Sequence, residues 1–532
     1  MKLFRLIILG LLFLTACTED KGNYDYDPIN EITVSGIDET YYVVAGVTQL
    51  RITPEVTGTK YADDRLEYTW YTCFKDAYFE HHHAPLATGK DLDTEIKLAP
   101  GTYDLYLTVR DTETDMEYNF KSALVVSTTM MKGFYLYGDK PDGTVGMDFL
   151  STPSGADTVL IKNIFTNQSG IRGAVDLCFS GNNRVHASLE NLWAITTEGT
   201  YKIASSIQKS SVFDIDEEYN ESAVFFPTIE VKRPLKVLDE FPGQSPSPVN
   251  TYTGGSVHYG RGIITEDAIF VGNVSQGFES YGNPVNRYSL QSTELFKPYE
   301  KAFYRASSTT AWMVLFYDYT NECFCTLRNS DGALSNATTC MKLADRPTDL
   351  FPWNQDGRTL LYGENEPQNG YCYALMKDLN NDNKYYIYRF YVFRTTNIRK
   401  QAVYEIDLTA MPDLKQASMI RFFGNQLYIL YSVGSKLYAY NFSSKQQPIL
   451  LKDFGEEITS LDFYYGMDLI NGWMPDYAID LMVGTYSAAN GGTVRQFRTT
   501  SSTNNFEITQ KKGCEWKTDL KVKKSEFRNS GN

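Results

Sequence analysis

From Asn30 onward the apolar residues fall in short runs that either alternate with polar residues or are apolar at every position, with Gly, Asn, Asp, Ser and Pro between the runs. Alternation marks strands at Glu31–Ile37, Gln49–Val56, Leu66–Tyr71, Thr94–Leu98, Tyr103–Asp111 and Tyr118–Val126, because side chains on a strand point alternately to its two faces. Six or so short strands in about a hundred residues predict an immunoglobulin-like sandwich over 30–127. Within Gly101–Asp111, the period of two puts Tyr103, Leu105, Leu107 and Val109 in the core and Asp104, Tyr106, Thr108 and Arg110 outside.

Past Met131 the pattern changes. Aromatic strand cores recur every few tens of residues: Gly133–Tyr137, Asn191–Ile195, Ala268–Val271, Trp312–Phe316, Gln426–Tyr431 and Ile479–Tyr486. Several are followed by a turn and a second strand, as in Leu427–Tyr431, Gly434-Ser435 and Lys436–Tyr440. Repeated strand-turn-strand units predict a β-propeller over 131–532, with about seven blades at roughly 40 to 55 residues each; an irregular stack of sandwiches is the alternative. Lys384–Arg394 is apolar on both faces, as expected of a strand buried between blades rather than of a nucleic-acid surface. Lys301–Leu315 and Asp413–Ile420 come nearest to helical periodicity, and neither sustains it.

Composition fits an all-β chain of more than one domain: 532 residues, 14% aromatic, with 39 Tyr and 30 Phe. A net charge of −15 argues against nucleic acid and against an anionic membrane surface. The start of the chain is different. Lys2 and Arg5 precede the apolar run Leu6–Leu14, too short to cross a bilayer, and Leu14-Thr15-Ala16-Cys17 completes a lipoprotein signal. Residues 1–16 are therefore expected to be removed and Cys17 to carry lipid, with 17–29 as an acidic tether containing Glu19 and Asp20. Seven cysteines remain; Cys323 and Cys325 share one strand face, and one of them could pair with Cys340, or all could be buried thiols.

Catalytic signatures are missing. Glu80 and His81-His82-His83 form the one histidine cluster, but adjacent residues seldom converge on one ion, and an exposed loop without metal is expected. Asp378–Asn383 carries oxygens in calcium-loop spacing, yet Asn383 stands where glycine is needed and Arg389 where glutamate is needed. It reads instead as a hairpin turn with a left-handed Asn. No motif calls for a cofactor. The candidates for ligand contact are Trp353 and Trp473, each set among turn residues (Phe351–Gly357 and Asn471–Tyr477) where a ring could stack on a ligand or cap its own blade. Asp157-Thr158-Val159 matches a short O-glycan attachment pattern of exported Bacteroidetes proteins.

Gly101-Thr102-Tyr103-Asp104-Leu105-Tyr106-Leu107-Thr108-Val109-Arg110-Asp111 is similar to the core strand of PKD (polycystic kidney disease) domains, although the continuation usual after the mid-strand Trp is missing after Trp70. The lipobox, the acidic start, Asp20–Tyr26, Asn30-Glu31-Ile32, the sandwich and the long second region together resemble the PKD-like lipoproteins of Bacteroidetes. That resemblance implies a non-catalytic outer-membrane lipoprotein facing the cell exterior. It also implies partnership with a TonB-dependent transporter of the starch-utilisation type and its lid lipoprotein, in uptake of a glycan or oligopeptide. Two alternatives stay open: a propeller glycan lyase or glycosidase with carboxylates brought together by folding, and a scaffold with no ligand.

Overall fold

The computed structural model describes residues 29–45, 48–60, 64–75, 81–98, 101–127, 130, 132–152, 158–165, 170–180, 191–205, 213–215, 224–233, 235–241, 260–273, 280–304, 313–328, 337–354, 357–366, 370–392, 398–424, 426–464 and 479–529. Cys17 with its signal and tether, Asp157, and Trp473 with its segment lie outside these residues. The chain divides into two compact units, Met1–Ser127 and Thr128–Asn532. Among the described residues no helix is long and apolar enough to cross a membrane.

The first unit is the sandwich. Five strands pair in the order Thr40–Val44, Met116–Ser127, Gly101–Asp111, Leu66–Lys75, His81–Thr88, and two small sheets join Ile32–Ser35 to Glu55–Gly58 and Gln49–Ile52 to Leu92–Glu95. One core unites all three sheets through Ile32, Val56, Leu50, Leu92, Trp70, Leu105, Leu107 and Val109. The alternation within Gly101–Asp111 holds: Leu105, Leu107 and Val109 are buried, Tyr103 is half-buried beside them, and Arg110 is exposed. Trp70 is 1% exposed and its indole N–H donates to the Lys90 carbonyl at 3.2 Å. Two expectations change. Gln49–Val56 is two strands divided around Pro54, which has no N–H to give a ladder. The histidine cluster lies at the start of a strand, not in a loop, with His83 opposite Cys73.

Among the described residues the second unit forms seven antiparallel sheets. Named from the centre outward, blade 1 is Lys521–Asn529, Lys132–Asp139, Val145–Ser151, Val159–Ile161; blade 2 is Ala174–Ser180, Asn191–Thr196, Thr200–Ser205, Phe213–Ile215. Blade 3 is Val237–Phe241, Gly260–Thr265 and Ile269–Asn273, with Tyr281 bridged to its outer edge at Gly272. Blade 4 is Leu315–Asp318, Cys323–Arg328 and Thr339–Lys342, and its inner edge is the segment bridged at Pro298 and Phe303. Blade 5 is Arg358–Asn365, Tyr371–Asp378, Lys384–Val392, Ile398–Asp407; blade 6 is Met419–Phe423, Tyr428–Val433, Lys436–Asn441, Ile449–Asp453; blade 7 is Glu457–Tyr464, Asp480–Ser487, Gly491–Ser501, Phe506–Thr518.

Burial explains the shape. Middle strands such as Val145–Ser151 are buried at every position, whereas the outer strand Ile398–Asp407 alternates half-buried and exposed. A sheet whose middle strands are apolar on both faces must be covered on both. Each interface between neighbouring blades accordingly has its own apolar cluster: Phe149 with Leu192 between blades 1 and 2, Trp193 with Phe270, Phe241 with Phe316, Leu315 with Ala374, Leu375 with Ile429, and Leu430 with Leu481. The seventh cluster packs Met482 and Val494 of blade 7 against Leu136 and Val522 of blade 1. That cluster closes the ring. The last strand of the chain therefore supplies the innermost strand of the first blade, and it approaches so closely that a Cβ on Gly138 would lie 2.2 Å from the Lys521 carbonyl oxygen.

Lys384–Val392 behaves as its pattern predicts, with Tyr388 and Phe390 facing blade 4 and Tyr385 and Ile387 facing blade 6. The Asp378–Asn383 hairpin forms, but no residue in it adopts positive φ; Asp378 instead accepts the Asn380 and Asn381 N–H groups at 2.8 and 3.0 Å. The helix-like stretch Asp413–Ile420 is not an α-helix, since Pro412–Gln416 makes a short 3-10 turn and a strand begins at Met419; of Lys301–Leu315, residues 305–312 lie outside the described residues.

Candidate functional site

The inner strands share an irregularity. In blades 2, 3, 5 and 7 the pairing slips by one residue near the start of the innermost strand, leaving Val175, Leu238, Leu361 and Thr459 as the extra residue. Blade 1 does the same at Lys523. A β-bulge leaves its extra residue out of the ladder and re-aims its side chain. Three of these residues, Val175, Leu238 and Leu361, together with Glu300 on the inner edge of blade 4, line a cavity of about 530 Å³. Lys236, Glu266, Lys297, Tyr299 and Tyr319 complete much of its wall. The cavity is a funnel opening among the starts of the inner strands of blades 2 to 5.

The inner strands also carry charge at positions where a core strand would be apolar. Asp462 of blade 7 is the hub: its Oδ1 accepts from Arg421 Nη2 of blade 6 at 3.2 Å and from Lys524 Nζ of blade 1 at 3.0 Å, and its Oδ2 accepts the Ser525 N–H at 3.0 Å. Arg421 also donates to the Tyr362 hydroxyl at 3.1 Å, and Glu364 of blade 5 accepts the Phe422 N–H at 2.6 Å. Lys524 reaches Glu526 at 3.5 Å. Asp176 of blade 2 adds its field to those of Glu526 and Asp239, and Lys301 faces Asp239 from blade 4. All seven blades thus contribute a charged side chain around the axis, and the acids Glu526, Asp176 and Asp239 gather on blades 1 to 3.

Their environment is distinctive. Burial pushes the Asp239 carboxyl up to about 7, against the pull of Lys301 and the Ala302 N–H. Burial likewise pushes Glu526 up to about 7, reinforced by Asp462 and Asp176 and opposed by Lys524. A carboxyl that is harder to ionise when folded stabilises the fold fully below its unfolded value near 4, and that contribution is lost as pH rises through about 7. Stability should therefore fall between pH 4 and 7 by several kcal/mol from the pair, at roughly 1.4 kcal/mol for each pH unit by which a carboxyl is raised, and urea midpoints of the Asp239→Asn, Glu526→Gln double variant should lose that slope. An unchanged slope would show that neither group titrates there.

Of the residues singled out from sequence, Trp353 lies elsewhere, and Trp473 and Cys17 lie outside the described residues. Trp353 is 6% exposed, packed edge-on against Phe324, Phe351 and Phe390, with Lys400 Nζ 4.6 Å from its ring centre. Its backbone N–H donates to Asp345 Oδ1 at 2.5 Å. Its turn-rich setting is internal, so Trp353 caps the blade 4–5 core and its ring is not open to a ligand. Cys323, Cys325 and Cys340 are free buried thiols, which settles the pairing alternative in favour of small apolar side chains. Among the described residues no group of His, Cys, Asp and Glu is arranged to hold a metal ion. The bulge residues and the axial charges were missed. The only signal for the charges was their place inside otherwise strand-like runs, as in Met419-Ile420-Arg421-Phe422-Phe423.

Comparison with curated proteins finds no match. Among solved structures, a quinoprotein alcohol dehydrogenase-like protein from Bacteroides thetaiotaomicron VPI-5482 aligns at 13% identity over 94% of this chain and 96% of its own, with a TM-score of 0.34. An ancestral GH74 enzyme aligns at 11% identity over 76% and 56%, with a TM-score of 0.27. The propeller is established by its own strand pairing and seven clusters, not by these likenesses. The PKD-like family profile matches residues 17–174, which take in the sandwich and the first strands of the propeller region.

Proposed function

We propose that this chain is a non-catalytic binding subunit, lipid-anchored to the outer membrane at Cys17 and facing the exterior, that captures a glycan or oligopeptide for a TonB-dependent transporter and its lid lipoprotein. The observation that carries the binding part of this reading is the funnel. Its volume of about 530 Å³ falls within the roughly 300–1,000 Å³ usual for ligand pockets, and it combines apolar side chains with charges of both signs. The anchor and transporter rest on the leader and on the resemblance of the N-terminal part to PKD-like lipoproteins. The sandwich serves as a spacer between lipid and propeller.

A second reading, a carboxylate-based propeller enzyme, is favoured by one observation: Asp239 and Glu526 are both poised near neutrality beside the same Asp176. Acids tuned in that way suit general acid and base chemistry. Purification through a C-terminal tag from detergent-solubilised outer membranes, followed by mass spectrometry, tests the uptake reading. Recovery of a TonB-dependent transporter with its lid lipoprotein is the expected result; recovery of the chain alone overturns the subunit role and brings the enzyme forward.

A further inference from the structure

We propose that the sandwich does more than hold the propeller away from its anchor: the outer face of its five-stranded sheet binds a neutral oligosaccharide. This surface belongs to the first unit and shares no residue with the funnel.

The alternation that fills the core also builds the face. Leu105 and Leu107 point inward, so Asp104, Tyr106 and Thr108 point outward. In the strand register Tyr106 stands directly between Tyr71 on one side and Lys121 on the other. Pro85 stands beyond Tyr71, and at the usual strand spacing this row of four spans about 14 Å. The Tyr71 and Tyr106 rings are parallel to within 13° with centroids 5.2 Å apart, and the His83 ring tilts against Tyr71 at 5.5 Å. Parallel rings at that separation are slipped past each other, so each leaves part of its face uncovered by the other. Both tyrosines are half-buried and His83 is exposed.

The chemistry around the rings selects the ligand. A pyranose has a face of C–H bonds that lies on an aromatic ring and a rim of hydroxyls that both donate and accept. The row beside the tyrosines supplies Thr69, Thr108 and Asn119, matched groups of the same kind, and the Tyr71 hydroxyl makes no hydrogen bond among the described residues. The nearby charges are already paired: Lys121 meets Asp104 at 2.9 Å, and Arg110 meets Glu67 at 2.9 Å and also Asp115. An anionic glycan or an acidic peptide would need free cations, whereas a neutral sugar needs only the rings and the polar groups. With an ion pair and a row of hydroxyl and amide groups set against the rings, the centre of the face is not the charge-poor apolar core of a protein interface.

The test is native affinity electrophoresis of the full chain in gels containing laminarin, galactomannan or hydroxyethyl cellulose as neutral glycans, and polygalacturonate as an anionic one. At least one neutral glycan should retard the chain. Tyr71→Thr and Tyr106→Thr, which keep a strand-forming residue, should each weaken that retardation roughly tenfold, the weight of one ring contact. Tyr106→Phe keeps the ring and should stay close to the unmodified chain, and thermal unfolding of each variant checks that the sandwich is intact. Retardation unchanged in both threonine variants overturns the site, as does retardation by polygalacturonate alone or by no glycan. A loss in Tyr106→Phe equal to that in Tyr106→Thr overturns ring stacking as the grip. Retardation lost in Leu361→Asp but kept in the threonine variants moves the glycan to the funnel and overturns the sandwich site. A transporter that co-purifies with the unmodified chain but not with Tyr106→Thr, with no glycan retarding either, makes the face a protein contact instead.

Discussion

Ending the chain at Leu520 should leave a propeller that cannot close, at a cost of at least about 5 kcal/mol, the lower end of a whole domain's stability. The strand Lys521–Asn529 pairs along the full length of Lys132–Asp139. Its Val522 is 1% exposed within the cluster between blades 7 and 1, and its Phe527 ring lies 5.0 Å from Phe134 and 4.5 Å from Tyr464. Losing it uncovers the inner edge of blade 1 as an unpaired strand and opens an interface that holds the ring together. Denaturant unfolding, followed by near-ultraviolet circular dichroism, is the measurement. The expected trace keeps a transition from the sandwich, whose core around Trp70 shares no residue with that cluster, and loses the cooperative transition of the propeller. A truncated chain whose propeller transition keeps the denaturant midpoint of the full chain would show that closure by the last strand is dispensable.

How much of this was legible in the sequence depends on which strand of a blade is considered. Second and third strands are squeezed between blades, so both faces must be apolar, and runs such as Gly133–Tyr137, Tyr428–Val433 and Lys384–Val392 announce themselves. Inner and outer strands do not. Lys521–Asn529 reads as a charged tail, yet it is the innermost strand of blade 1, because one edge of such a strand faces the axis, where charge is tolerated when it is paired. The bulges were invisible for a different reason. Val175, Leu238 and Leu361 are ordinary strand residues, and only the pairing register reveals that each is the extra one. The axial charges run from Asp176 to Glu526, one or two per blade, with no local spacing to betray them. Trp353 misled in the opposite sense: turn residues around it suggested surface, but the backbone at Asn354 bridges to Cys323 and carries the ring into the core.

Replacing Asp462 with alanine should destabilise the propeller by about 3–5 kcal/mol, the usual cost of removing one partner from a buried ion pair. Asp462 is 7% exposed at its side chain, and three donors from two other blades converge on it: Arg421, Lys524 and the Ser525 N–H. With the carboxylate gone, two cations whose side chains are only 19% and 21% exposed lose the counter-charge they share, and Lys524 keeps only Glu526 at 3.5 Å. Asp462→Asn should fall between, since an amide oxygen still accepts the Ser525 N–H but supplies no charge. Dependence on pH separates this clasp from simple packing. Burial alone would raise the Asp462 carboxyl, but the Lys524 and Arg421 charges and the Ser525 N–H outweigh it and hold the group below the usual range. A carboxyl that is more acidic when folded stabilises the fold above its unfolded value near 4, and that contribution disappears as pH falls through the folded value. The unmodified chain should therefore lose stability below about pH 4 more steeply than Asp462→Ala does. This acid limb has the opposite sign to the fall between pH 4 and 7 expected from Asp239 and Glu526, so midpoints measured from pH 3 to 8 resolve the two. Parallel curves below pH 4 would mean that Asp462 acts by filling space and that the ring is closed by apolar packing alone.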